Sequence, residues 1–126
     1  MMNKSLVLEK LRLKILYKID LLDVSDDAIK TFRKHVKNNK FLDDETIIKK
    51  INRNWILAKD TERIKYVEGF KVYIRKYGNL EMRMFPASEY ELSDDKIYYI
   101  YNRKGKKQDF KIDEKLKEEL NKKMKL

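Results

Sequence analysis

At Phe70 the apolar residues of this chain change their spacing, and that switch limits the fold more than any other feature. Before it they recur every three or four residues, as on the buried side of a helix. From "FKVYIRKYGNLEMRMF" onward they alternate, as on the two faces of a strand. A chain that keeps the two periods in separate blocks folds as α+β, with helices gathered against an antiparallel sheet.

The helical block divides at its capping residues. Over 4–23, Leu8, Leu11, Ile15, Ile19 and Leu22 form one apolar stripe, with Lys10, Lys14 and Lys18 on another face. "DVSDDAIKTF" starts a second helix: Ser25 caps it, Asp26 and Asp27 suit the positive end of the dipole, and Ile29, Phe32 and Val36 face inward. Asn38 and Asn39 close it. In "LDDETIIKKINRNW", Asp43 or Asp44 caps a third helix with Ile47, Ile48, Ile51 and Trp55 on its buried side. "TERIKYVE", capped by Asp60 or Thr61 and closed by Gly69, reads as a short fourth helix.

The alternating block begins with two strands around the turn trio Tyr77-Gly78-Asn79, the second ended by Pro86. A short strand is expected at Tyr90–Leu92. A hairpin follows, from strands 96–102 and about 107–112, and Asp113 caps a last helix with Leu116, Leu120 and Met124 inward. The predicted architecture is α+β: a helical N-terminal half of three to four helices, an antiparallel meander of four to five strands, open or curled into a small barrel, and a C-terminal helix. With 126 residues, three glycines and one proline, one compact domain is expected. Its helical part is about 1–69, its sheet about 70–112 and its last helix about 113–126.

Composition removes several chemistries. With no cysteine and His35 as the single histidine, there is no disulfide, thiolate nucleophile or multi-histidine zinc site. No nucleotide-binding glycine pattern, phosphate loop or nucleophile elbow occurs, so no cofactor or metal is expected and the balance is against an enzyme. "SLVLEKLRLKILYKIDLL" is broken by Glu9, Lys10, Arg12, Lys14 and Lys18, so it is neither a membrane span nor a secretory signal. A cytoplasmic protein without a membrane partner is expected.

The formal net charge is +10, which draws a protein to polyanions. Its cations are mostly lysine, in company with many Ile, Asn and Tyr, as AT-rich codons produce. Codon bias therefore supplies part of the charge, and with the small size it points to a low-GC bacterium or its mobile elements, a phage or plasmid.

The residues best suited to polyanion binding are in the sheet. In the first hairpin Phe70, Val72 and Ile74, with Leu80, Met82 and Met84 across from them, form a core face. The opposite face then carries Lys71, Tyr73, Arg75 and Tyr77 from one strand and Glu81, Arg83 and Phe85 from the other. Rings that stack on bases, interleaved with cations that neutralise phosphates, are what single-stranded nucleic acid requires. The same residues also fit an ordinary pleated surface. In the second hairpin Arg103, Lys104, Lys106 and Lys107 surround Gly105 at a tip that would follow a phosphate backbone, or would simply keep an edge soluble. The strand before it, Ile97-Tyr98-Tyr99-Ile100-Tyr101, is apolar on both faces, so either both are covered or one presents tyrosines.

These residues predict a small nucleic-acid-binding protein, for DNA or RNA, of low sequence specificity because lysine outnumbers arginine. Two further readings are open. One is an inhibitor or accessory factor that binds a host protein, with the acidic "SEYELSDD" and Tyr90 as a contact. The other is a metal-independent RNA-cleaving toxin using Lys71, Arg75, Arg83, a tyrosine and His35. A winged-helix arrangement would instead turn Lys49, Lys50, Asn52, Arg53 and Asn54 outward as a recognition helix. Oligomeric state is not legible in the sequence.

Overall fold

In a computed structural model, residues 4–103 and 110–126 are described. Among them, five helices accompany five strands: α1 (Lys4–Tyr17), β1 (Asp23–Val24), α2 (Asp26–His35), α3 (Asp44–Leu57), β2 (Arg63–Val67), β3 (Phe70–Tyr77), β4 (Leu80–Phe85), α4 (Ala87–Tyr90), β5 (Lys96–Asn102) and α5 (Glu114–Met124). The protein is α+β, with a helical N-terminal region, a five-stranded sheet and a C-terminal helix. The sheet is open, with strand order β1-β5-β4-β3-β2. It is mixed, because β1 runs parallel to β5 while the other neighbours are antiparallel.

Capping chemistry sets the helix starts. Ser25 accepts from the Ala28 amide, Asp43 from Thr46 and Asp113 from Leu116, at 2.8–3.1 Å. Ser25 also acts through its backbone. Its amide donates to the Ile97 carbonyl, so the residue that opens α2 ties the chain to β5 as well.

Four expectations about element bounds and types are corrected. The first helix ends at Tyr17, where Lys18 turns left-handed (φ 55°) and the Ile19 amide reaches back to the Leu13 carbonyl. The chain is then free to lay Asp23–Val24 along the open edge of β5. "TERIKYVE" is mostly strand: Ile64, Tyr66 and Val67 suit a pleated surface, and β2 pairs along its length with β3. Glu68 and Gly69, both at positive φ, form the two-residue turn joining them, so Gly69 closes a hairpin rather than a helix. Tyr90 ends the short α4 instead of starting a strand. Residues 110–112 are not strand, while 107–109 lie outside the described residues.

The core joins helices and sheet. Leu6, Leu13, Leu21, Ile29, Phe32, Ile47, Ile51 and Trp55 meet Leu80, Met82, Ile97 and Ile100, with Leu120 and Met124 of α5 completing it. In α1 the buried residues are Leu6 and Leu13, so the expected stripe of Leu8, Leu11 and Ile15 faces outward. The recognition-helix reading of α3 also fails, because Lys49, Asn52 and Asn54 are buried.

Asn52 shows why. Its Oδ1 accepts from the Leu22 amide at 2.7 Å, and its Nδ2 donates to the carbonyls of Leu22 (3.1 Å) and Ile48 (2.9 Å). It replaces the strand partner that Leu22 lacks at the entry to β1. Substituting Asn52→Leu leaves the part-buried amide and carbonyl of Leu22 without this partner, and a loss of about 2–4 kcal/mol is expected in urea titration.

Candidate nucleic-acid interface

The turn between β3 and β4 decides which side chains share a face. Gly78 has φ 61°, and Gly78-Asn79 form a two-residue loop that sets Tyr77 opposite Leu80. Ile74 then faces Arg83 and Arg75 faces Met82. Had the trio Tyr77-Gly78-Asn79 formed the turn, Ile74 would face Met82. The one-residue difference moves every β4 side chain to the other face. The set predicted from sequence is therefore divided. Tyr73, Arg75 and Tyr77 share a face with Leu80, Met82 and Met84, while Arg83 and Phe85 lie on the other with Val72 and Ile74.

The first of these faces meets the helices. The Arg75 guanidinium lies 4.3 Å from the Trp55 ring centroid, donates to the Trp55 carbonyl at 2.7 Å and reaches Glu62 at 2.9–3.0 Å. Tyr73 and Tyr77 pack partly buried against the core, and Tyr77 meets the Phe110 ring edge-on at 6.2 Å. Lys71 stands opposite Tyr66 near the β2–β3 turn, and its amide donates to the Glu89 carboxylate.

The outer face carries a connected series of rings. Phe70 neighbours Tyr90, which neighbours Phe85 (4.8 Å between centroids); Phe85 meets Tyr98 (5.0 Å) and Tyr99 (5.8 Å), and Tyr99 meets Tyr101 (6.0 Å). A register shift between Arg83 and Met84 bulges β5 at Tyr98, leaving Ile97 and Ile100 buried and turning Tyr99 and Tyr101 outward, 41% and 44% exposed. Cations lie on these rings: Arg83 at 4.7 Å from the Tyr101 centroid and Lys96 at 4.8 Å from that of Tyr98. Arg63 and Lys65, on the exposed edge strand β2, share the face.

One carboxylate organises those cations. Glu81 accepts from Arg63 at 3.2 Å and from both Nε and Nη2 of Arg83 at 3.1 and 2.9 Å. Because Arg63 and Arg83 stand on either side of Ile74, the trio spans that fully buried residue. Burial pushes the Glu81 carboxyl upward, but the Arg83 hydrogen bonds and the charges of Arg83, Arg63 and Lys76 outweigh it and hold its pKa below the ordinary value.

Sequence reasoning missed Tyr99, Tyr101, Lys96, Arg63 and Lys65 as members of one surface. The signal was the doubly apolar strand 97–101, and the bulge that sorts its tyrosines outward has no mark in the sequence. At the end of β5, Arg103 donates to the Gly78 carbonyl at 3.0 Å. Lys104, Lys106 and Lys107 lie outside the described residues. Asn79 donates to Asn102 at 2.7 Å, which orients the Asn102 amide to donate to Nδ1 of His35 at 3.0 Å. His35 therefore holds a strand end in place.

Five of the acidic residues line one cleft. The cleft, of about 440 Å³, is lined by Asp23, Asp26, Asp44, Glu45 and Asp94 with Lys10 and Lys96, and its carboxylate excess repels a polyanion. Within "SEYELSDD", Asp94 pairs with Lys10 at 3.1 Å and Asp95 accepts from the Ala87 amide at 2.9 Å, so both serve the fold.

The YorE family matches residues 22–123, from the approach to β1 into α5, and the chain belongs to that family. No curated protein and no solved structure matches the chain. None of the described helices is long and apolar enough to cross a membrane.

Two substitutions separate structural cations from available ones. Arg75→Ala removes the Trp55 stack and its hydrogen bonds, and a loss of about 1–3 kcal/mol in denaturant unfolding is expected. Glu81→Gln is expected to cost about 1–2 kcal/mol at neutral pH, since two arginines lose their shared partner at a partly solvated site. The folded pKa of Glu81 lies below the unfolded value near 4.5, so its stabilisation is complete above that pH and fades as the pH falls through the lower folded value. Stability measured against pH should fall more steeply on the acid side for the wild type than for Glu81→Gln.

Proposed function

We propose that this YorE-family protein binds single-stranded DNA or RNA on the outer face of its sheet, with low sequence specificity and without catalysis. The observation that carries the reading is the run of rings from Phe85 through Tyr99 to Tyr101, exposed at its β5 end and accompanied by Arg83 and Lys96. Bases stack on the tyrosines, while Arg63, Lys65, Arg83 and Lys96 neutralise phosphates on either side. Arg103, and Lys104, Lys106 and Lys107 after it in the sequence, continue the cationic run beyond β5. Tyr73, Arg75 and Tyr77 take no part, since the helices engage them.

The lysine-rich composition fits backbone rather than base-edge recognition, and its codon bias supports an origin on a phage or plasmid. The RNA-cleaving alternative draws no support from the geometry: Arg75 and Arg83, which it would bring to one phosphate, stand on opposite faces of the sheet.

Fluorescence anisotropy with labelled oligo-dT and oligo-U across a salt series tests the proposal. Affinity should fall linearly on a log–log plot, with a slope of about −0.7 for each phosphate neutralised. Tyr99→Ala and Tyr101→Ala should each weaken binding by roughly 5- to 100-fold with little change in melting temperature, as both rings are exposed. No binding at low salt, or binding indifferent to both substitutions, would overturn it.

A further inference from the structure

Helix α1 presents to solvent the side that its sequence marks as core. Leu8 (60% exposed), Leu11 and Ile15 (74%) follow one another at spacings of three and four, and Val7 and Leu16 (61%) widen the stripe. From Val7 to Leu16 the stripe runs roughly 13 Å along the axis, more than two turns, which is enough for a second helix to lie along it. What holds α1 to the body lies elsewhere on the helix. Leu6 and Leu13 enter the core, Lys10 bridges to Asp23 and Asp94, and Arg12, paired within the helix to Glu9, donates to the Lys123 carbonyl. The match to the YorE family begins at Leu22, after α1 has ended, so the stripe lies outside the matched region.

The charges around the stripe select its occupant. Lys4, Lys14 and Lys18 are exposed, and Lys14 approaches the equally open Asp20 only to 3.9 Å. Glu9, the one acidic residue of α1, is taken by Arg12. A second copy of this chain would set these cations against their equivalents, between molecules that each carry +10. An acidic amphipathic helix meets the same rim with opposite charge. We infer that α1 is a docking surface for an amphipathic helix of a partner protein, one with an apolar stripe and acidic flanks. The site is separate from the outer sheet face and does not depend on nucleic-acid binding.

The test uses the full chain and a synthetic helical peptide with a leucine stripe flanked by glutamates. Controls are a scramble of the same composition and a version with lysine flanks. Titration calorimetry should show binding of the glutamate-flanked peptide alone. The double variant Leu8→Gln/Ile15→Gln should weaken it by at least about tenfold, the loss expected when two exposed apolar anchors are removed at constant charge. Circular dichroism should show an unchanged fold, and sedimentation a monomer. Equal binding of the scramble, or no effect of the double variant, would overturn the inference. So would a dimer that the double variant dissolves, which makes a second copy the occupant. Uptake onto anionic phosphatidylserine vesicles that the double variant abolishes, with no peptide binding, would reassign the stripe to a lipid surface.

Discussion

The pairing of Ile74 with Arg83 is the constraint from which the rest of this structure follows. It places Arg75 beside Met82 on the helix-facing side, where Trp55 can receive the guanidinium. It also places Arg83 on the outer side, where Glu81 ties it to Arg63 above Ile74. A register displaced by one residue would bring Arg83 and Glu81 against the helices and carry Met82 into water. Core burial and ion pairing therefore select the same register, and that agreement between levels is what gives a sheet a unique pairing.

The distribution of carboxylates completes the division. Glu62 serves Arg75, Glu81 serves Arg63 and Arg83, Asp23 and Asp94 serve Lys10, and Asp44 serves Arg33. These acids secure junctions between elements, several of them around the cleft beside α1. Beyond those pairs, cations stand on two surfaces: Lys65 and Lys96 on the outer sheet face, and Lys4, Lys14 and Lys18 on and just after α1. The two surfaces differ in what accompanies the charge: tyrosines on the sheet, which suit bases, and aliphatic side chains on the helix, which suit another helix.

Much of the fold was legible because its signals are local. Ser25, Asp43 and Asp113 cap the helices the sequence marks, and the change of period at Phe70 locates β3, β4 and β5 within a residue or so. The failures needed information that is not local. Arg63–Val67 has a spacing a helix could use, and only pairing with β3 makes it a strand. The α1 stripe satisfies a helical pattern, yet the body offers contacts to Leu6 and Leu13 instead. The interface was half legible. Ring and cation content pointed to the sheet, but the choice of face rested on whether two or three residues make the turn at Gly78, and the outward tyrosines depended on a bulge at Tyr98.

Cross-strand contacts of β3 and β4 in solution test the central claim most directly. Backbone nuclear Overhauser effects in a labelled sample should join Ile74 to Arg83 and Arg75 to Met82. Contacts joining Ile74 to Met82 instead would mean the three-residue turn, with Arg83 and Phe85 turned toward the helices, and would contradict the account at its foundation.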